Sequence, residues 1–121
     1  MSPAKSDIPE ELLDWVPLTP TIFFLLLALA DGPKHGYAIM KLSARLSEGR
    51  VRMGPGALYT SIQRLVEAAL IEETDPGEGE DSRRRLYKLT KPGRLLLGFE
   101  VDRMESVVRT ARGLKLGHLA R

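Results

Sequence analysis

Arg83, Arg84, Arg85 and Lys88 crowd into six residues, and no carboxylate occurs from Ser82 to Arg94. Cations gathered in this way neutralise phosphate oxygens and release counterions. Upstream, Leu58, Ile62, Leu65, Val66 and Ala69 recur at helical spacing. That pattern predicts an inward stripe. It leaves Tyr59, Thr60, Gln63 and Arg64 on the outer face. Gln63 has the donor and acceptor to pair with adenine, and Arg64 the fork to pair with guanine. Tyr59 suits a phosphate. The chemistry these residues suggest is recognition of a duplex polyanion. The plainer alternative is a solvated helix face beside a charge run.

Gly54-Pro55-Gly56-Ala57 opens that helix. Free N–H groups and the helix dipole favour anions there, and small residues allow a close approach. The same glycines could equally serve a tight turn. Lys34 and Tyr37 stand at the start of an earlier helix, where backbone phosphates can be reached. Tyr37 has a second reading as a core residue with a satisfied hydroxyl. The arginines also have a second role open to them. Residues 72–81 hold six acids and no base, so Arg83 to Arg85 could neutralise that run. Strand alternation puts Arg85 with Tyr87 on one face and Arg84 with Leu86 on the other.

Catalysis is poorly supported. There is no cysteine, and the two histidines, His35 and His118, are far apart. Thiolate metal sites and cysteine nucleophiles are therefore excluded, and no metal or cofactor is expected. Glu72 and Glu73 are strand neighbours that point to opposite faces, which does not suit an acid–base pair. The apolar stretch from Ile22 to Ala30 is too short to span a bilayer. A soluble cytoplasmic protein without membrane contact is expected. The net charge of +2 is small, so the sign change after Ser82 says more than the total.

These side chains need positioning elements. Ile8, Leu12 and Trp15 predict a short amphipathic helix. Thr19-Pro20 predicts a helix start, followed by an apolar helix over about 20–31. Asp31-Gly32-Pro33 breaks it. A second helix runs from about His35 to Ser47, with Ile39, Leu42 and Leu46 inward. Val51-Arg52-Met53 reads as a short strand that could supply a third strand to a sheet. The helix from Pro55 to about Ala69 follows. Strands over about 70–74 and 84–89 come next, joined by a polar acidic loop. Thr90 caps a last helix, in which Leu97, Val101, Met104, Val108 and Ala111 form a heptad seam.

The predicted class is mainly α with a small antiparallel β wing: a winged helix-turn-helix plus a C-terminal dimerisation helix. Residues 1–17 would be an N-terminal extension, 18–90 the DNA-binding domain and 91–121 the dimerisation helix and tail. The seam, with Trp15, would join two copies.

Several segments resemble the PadR-like transcriptional regulators. They are Leu29-Ala30-Asp31-Gly32-Pro33-Lys34-His35-Gly36-Tyr37, Gly54-Pro55-Gly56-Ala57-Leu58-Tyr59, Leu65-Val66-Glu67-Ala68-Ala69-Leu70-Ile71-Glu72 and Arg83-Arg84-Arg85-Leu86-Tyr87-Lys88-Leu89-Thr90. The resemblance covers about Leu18 to Leu97. It implies a homodimeric repressor on double-stranded DNA, often relieved by a small aromatic or drug-like effector. The family commonly has Ser or Thr where this chain has Ala57, which offers no hydroxyl. The last helix has only Phe99 as an aromatic platform, so no effector site is carried over. The competing class is a winged-helix module that docks on another protein without specific DNA binding.

Overall fold

The computed structural model describes residues 8–74 and 85–116. In chain order its elements are α1 (Glu10–Leu13), α2 (Pro20–Ala28), β1 (Lys34–His35), α3 (Gly36–Leu46), α4 (Pro55–Glu67), β2 (Ile71–Thr74), β3 (Leu86–Leu89) and α5 (Lys91–Gly113). This is a mainly helical winged helix-turn-helix with a three-stranded antiparallel sheet in the order β1-β3-β2.

The apolar sequence of α2 places it at the centre, with Ile22, Phe23, Leu25, Leu26 and Ala28 buried. It packs against both α3 and α5. Thr19 caps it as the sequence predicts, its hydroxyl accepting from the Ile22 N–H at 3.3 Å. The inward stripe of α3 is rotated from the expected one. Leu46 is 41% exposed, while Ser43 is fully buried. The Ser43 hydroxyl donates to the Phe24 carbonyl at 3.3 Å. A small side chain there lets the two helices approach, and its one polar group is satisfied.

The third strand is not Val51-Arg52-Met53. It is Lys34–His35, paired with Tyr87 and Leu86 of β3. Val51 and Met53 bury their side chains in the core as a linker. The Val51 N–H donates to the Ser47 hydroxyl at 2.8 Å instead of to a strand. Glu48 and Gly49 both have positive φ and turn the chain after α3. α4 also ends sooner than predicted. Ala69 lies beyond its end at φ 59° and is exposed, and Val66 is 38% exposed. Leu58, Ile62 and Leu65 carry the buried face.

Thr90 starts α5 by accepting from the Gly93 N–H at 3.1 Å. Its hydroxyl donates to the Ala69 carbonyl at 2.6 Å, and its N–H to the Leu70 carbonyl at 3.1 Å. One residue thus ties the end of β3, the α4–β2 corner and the root of α5 together. Among the described residues, no helix is long and apolar enough to cross a membrane.

Candidate nucleic-acid interface

α4 begins at Gly54, which offers no side-chain cap. Its first-turn N–H groups are therefore free for an external acceptor. Gly54 has φ −77° and Gly56 is not at positive φ. A Cβ at either would meet nothing within 4 Å. The turn itself does not demand glycine, which leaves an open face at the helix start. Gly54, Pro55, Gly56, Ala57, Tyr59, Thr60, Gln63 and Arg64 are all exposed. They form one continuous surface.

Two members of that surface already have partners. Gln63 lies 3.4 Å from the Glu67 carboxylate. The Arg64 guanidinium stacks over the Trp15 ring, 5.1 Å from its centroid. To read a base, Arg64 must leave that ring. Trp15 itself is half-buried against its own chain.

The opening of α3 flanks α4. Tyr37 is 64% exposed, so it is not a core residue. Gly36 explains how the two helices come so close. A Cβ there would lie 2.5 Å from the Tyr59 hydroxyl. A concavity of about 560 Å³ lies between them and the wing, lined by His35, Tyr37, Tyr59, Arg85 and Tyr87 among others. The buried His35 Nδ1 has no hydrogen-bond partner among the described residues. Burial, with Glu73 and Tyr59 adding to it, pushes the Tyr87 hydroxyl's pKa up, so it stays a donor.

The cations divide into paired and unpaired sets. Lys34 is ion-paired with Asp31, and this contact holds the Asp31 carboxyl below its usual range. Arg85 contacts the Glu73 carboxylate at 3.1 Å. Lys88 stands across from Glu72 in the β2–β3 register. Of the described wing cations, Arg85 is thus ion-paired, whereas Lys88 forms no ion pair among the described residues. For Arg85, local neutralisation, the plainer of the two readings, describes the contact. Arg83, Arg84 and the acidic loop lie outside the described residues.

One group of unpaired cations is missed by the sequence reading. Lys41, Arg45, Arg50 and Arg52 are exposed and make no ion pair among the described residues. Tyr37, Lys41 and Arg45 are spaced by four, so they line one face of α3. The Lys41 Nζ sits 5.5 Å from the Tyr37 ring centroid. Helical spacing of basic residues is the signal that could find them. It is fainter than the sharp charge boundary near Ser82.

The expected seam of α5 splits in two. Leu97 is 5% exposed and belongs to its own chain's core, because the first turns of α5 lie on α2 and β3. It has almost no surface left for a second chain. Beyond it, Val101 is 43% and Val108 49% exposed, and Met104 and Ala111 are partly exposed. Val107 and Leu114 widen this stripe at 55% and 68%.

At the division sits Glu100, fully buried and outside every pattern seen in the sequence. Its Oε2 accepts from the Leu18 N–H at 2.7 Å. Its Oε1 accepts from the Arg103 Nε at 2.5 Å. Burial pushes this carboxyl up, but the Arg103 guanidinium and the Leu18 N–H outweigh that and hold it below the usual range. Its contribution to stability is therefore present above the unfolded carboxylate pKa. It is lost only as pH falls through the lower folded value.

Comparison with known proteins agrees with this architecture. The model of the transcriptional regulator PadR-like family matches residues 25–98. The chain belongs to that family, whose members are regulators rather than enzymes. A curated relative, an uncharacterized 37.1 kDa protein in transposon TN4556 of Streptomyces fradiae, is 41% identical over 80 residues. The match covers 66% of this chain and 21% of that protein, so the chain spans about a fifth of the relative's length. A transcriptional regulator from Clostridium thermocellum superposes with a TM-score of 0.63 at 20% identity, covering 88% of this chain and 96% of that one. Bacillus subtilis PadR in complex with operator DNA gives 0.54 at 20% identity, covering 63% and 43%. At such identities these structures show the shared fold.

Proposed function

We propose that this chain is a homodimeric repressor that binds a palindromic operator in double-stranded DNA. α4 enters the major groove, with Thr60 and Gln63 facing base edges. Tyr37, Lys41, Arg45, Arg50 and Arg52 hold the flanking phosphates. The free half of α5 joins two copies, whose heads then meet half-sites about one duplex turn apart. A small aromatic or drug-like effector would release the DNA by favouring a different angle between the heads. The observation that carries the reading is the uncapped, open start of α4, preceded in the chain by the exposed Arg50 and Arg52, which form no ion pair among the described residues. The B. subtilis relative is solved in complex with operator DNA, which supports a DNA ligand by analogy.

A salt series on duplex DNA tests it. Affinity falls by on the order of a thousandfold between about 50 and 200 mM salt if several phosphates are contacted. Flat, weak affinity would instead favour docking on a protein partner. Replacing Lys41 and Arg45 with alanine weakens binding on every sequence. It also flattens the salt slope by about one unit for each phosphate no longer neutralised. An unchanged slope would remove α3 from the interface.

Gln63→Ala has a different signature. It relaxes preference at one position of each half-site by about 1–3 kcal/mol while leaving the salt slope intact. Binding selection from random duplexes measures this directly. A consensus identical to that of the wild type would mean that Gln63 faces water.

A further inference from the structure

Among the described residues, Glu100 is the one fully buried charged side chain, and the core packing alone does not explain it. Its place on α5 is specific. Gly93, Leu96, Leu97 and Glu100 are the buried residues of that helix, and no residue after Glu100 is buried. α5 therefore begins to leave the winged domain here, with Met104, one turn on, still packed at the edge of the core. The carboxylate grips the backbone just before the cap of α2, through the Leu18 N–H at 2.7 Å. Arg103, one turn further along, holds the same carboxylate through Nε at 2.5 Å and Nη2 at 3.3 Å.

Apolar contacts between helices are non-directional and allow small rotations. A hydrogen bond from a fixed backbone N–H to a charged acceptor is directional and stronger. We propose that Glu100 is a positioning residue: it fixes the angle at which α5 leaves the DNA-reading head, and so sets the half-site spacing that the dimer accepts. The inference rests on the dimeric DNA-binding reading above. The lever is long enough to matter. From Glu100 to Gly113 the helix extends about 20 Å. A tilt of about 10° at its base moves the far end by about 3.5 Å, close to the roughly 3.4 Å rise of one base step. A loosened clamp therefore blurs the spacing by about one base pair.

Glu100→Met tests this. An apolar side chain of similar length fills the same space, and Arg103 is exposed enough to be hydrated without its partner. The first readout needs neither DNA nor a second copy. The chain has no cysteine, so nitroxides at Glu72→Cys and Arg109→Cys report the head-to-helix distance by dipolar spectroscopy. Unlabelled chain is added in excess to dilute the spins. Glu100→Met broadens that distribution by several ångströms; Glu100→Gln, which keeps the Leu18 acceptor, broadens it less. An unchanged width in the folded Met variant overturns the clamp.

The second readout uses operators with one base pair inserted or removed between half-sites. The wild type discriminates against them, and Glu100→Met reduces that discrimination about tenfold or more with dimerisation intact. Equal discrimination in both proteins overturns the link to spacing even where the width changes. Should Glu100→Met not fold, Arg103→Ala replaces it in both assays, with a smaller effect in the same direction expected and no effect overturning the proposal. Wild-type protein that is monomeric or binds no duplex would instead refute the dimeric DNA-binding reading, while the dipolar measurement still judges the clamp.

Discussion

Gly93→Ala lowers the thermal midpoint by about 10 °C or more, whereas Gly98→Ala, five residues along the same helix, raises it slightly. Alanine is the better helix former, so at an unobstructed site the exchange stabilises by about 0.5–1 kcal/mol. Gly98 is such a site, since a Cβ there meets nothing within 4 Å. At Gly93 the added Cβ would lie 1.9 Å from the Leu70 carbonyl oxygen. Neither side can easily yield. Leu70 is fully buried, its N–H bonded to the Leu65 carbonyl at 2.9 Å and its own carbonyl accepting from Thr90. Gly93 donates to the Thr90 hydroxyl in the cap of α5. Forcing the two apart breaks that cap and shifts α5 off the core. Overpacking of this kind costs about 3 kcal/mol. At a few degrees per kcal/mol for a chain of this size, that gives the stated drop. Circular dichroism melting of the two variants decides it. Equal midpoints would mean that the α4–β2 corner moves aside at little cost.

On the dimeric reading proposed above, Val107→Asp with Val108→Asp converts the proposed dimer to monomer and lowers affinity for its operator by on the order of a hundredfold. These side chains are 55% and 49% exposed in the single chain. Placing carboxylates there removes no internal packing, so the fold survives. Between two copies the same carboxylates would be buried without partners, which is costly. Loss of the dimer then turns linked binding by two heads into separate events, and linkage is commonly worth about a hundredfold or more. Sedimentation and a duplex titration on the same sample measure both effects. A dimer that persists would place the interface elsewhere, and full affinity in a monomer would show that one head suffices.

The elements of this fold are readable from the chain because their signals are local. Thr19-Pro20 and Thr90 mark helix starts through side chains that bond the N–H three residues on, and both do so here. Leu58, Ile62 and Leu65 recur on one face because a helix imposes that spacing, and all three are buried. In β3 Tyr87 and Leu89 are buried with Lys88 exposed between them, as a half-buried strand requires. The family resemblance is carried by short segments of the same kind.

What these side chains do to one another was settled only when distant segments met. Two residues, Lys34 and His35, form a strand because β3 lies beside them, and no two-residue pattern could announce that. Arg64 looks free on its helix face, but Trp15 lies under it. Arg85 faces Glu73, and Leu97 joins the core and not the seam. Glu100 is buried because the Leu18 N–H, 82 positions away, is there to receive it. The helix starts and the strands β2 and β3 are legible in the chain alone, since they depend on neighbours a few bonds away. Which charges are paired, where β1 forms and which apolar face is left over emerge only on folding, because a contact between remote residues depends on how all the elements pack at once.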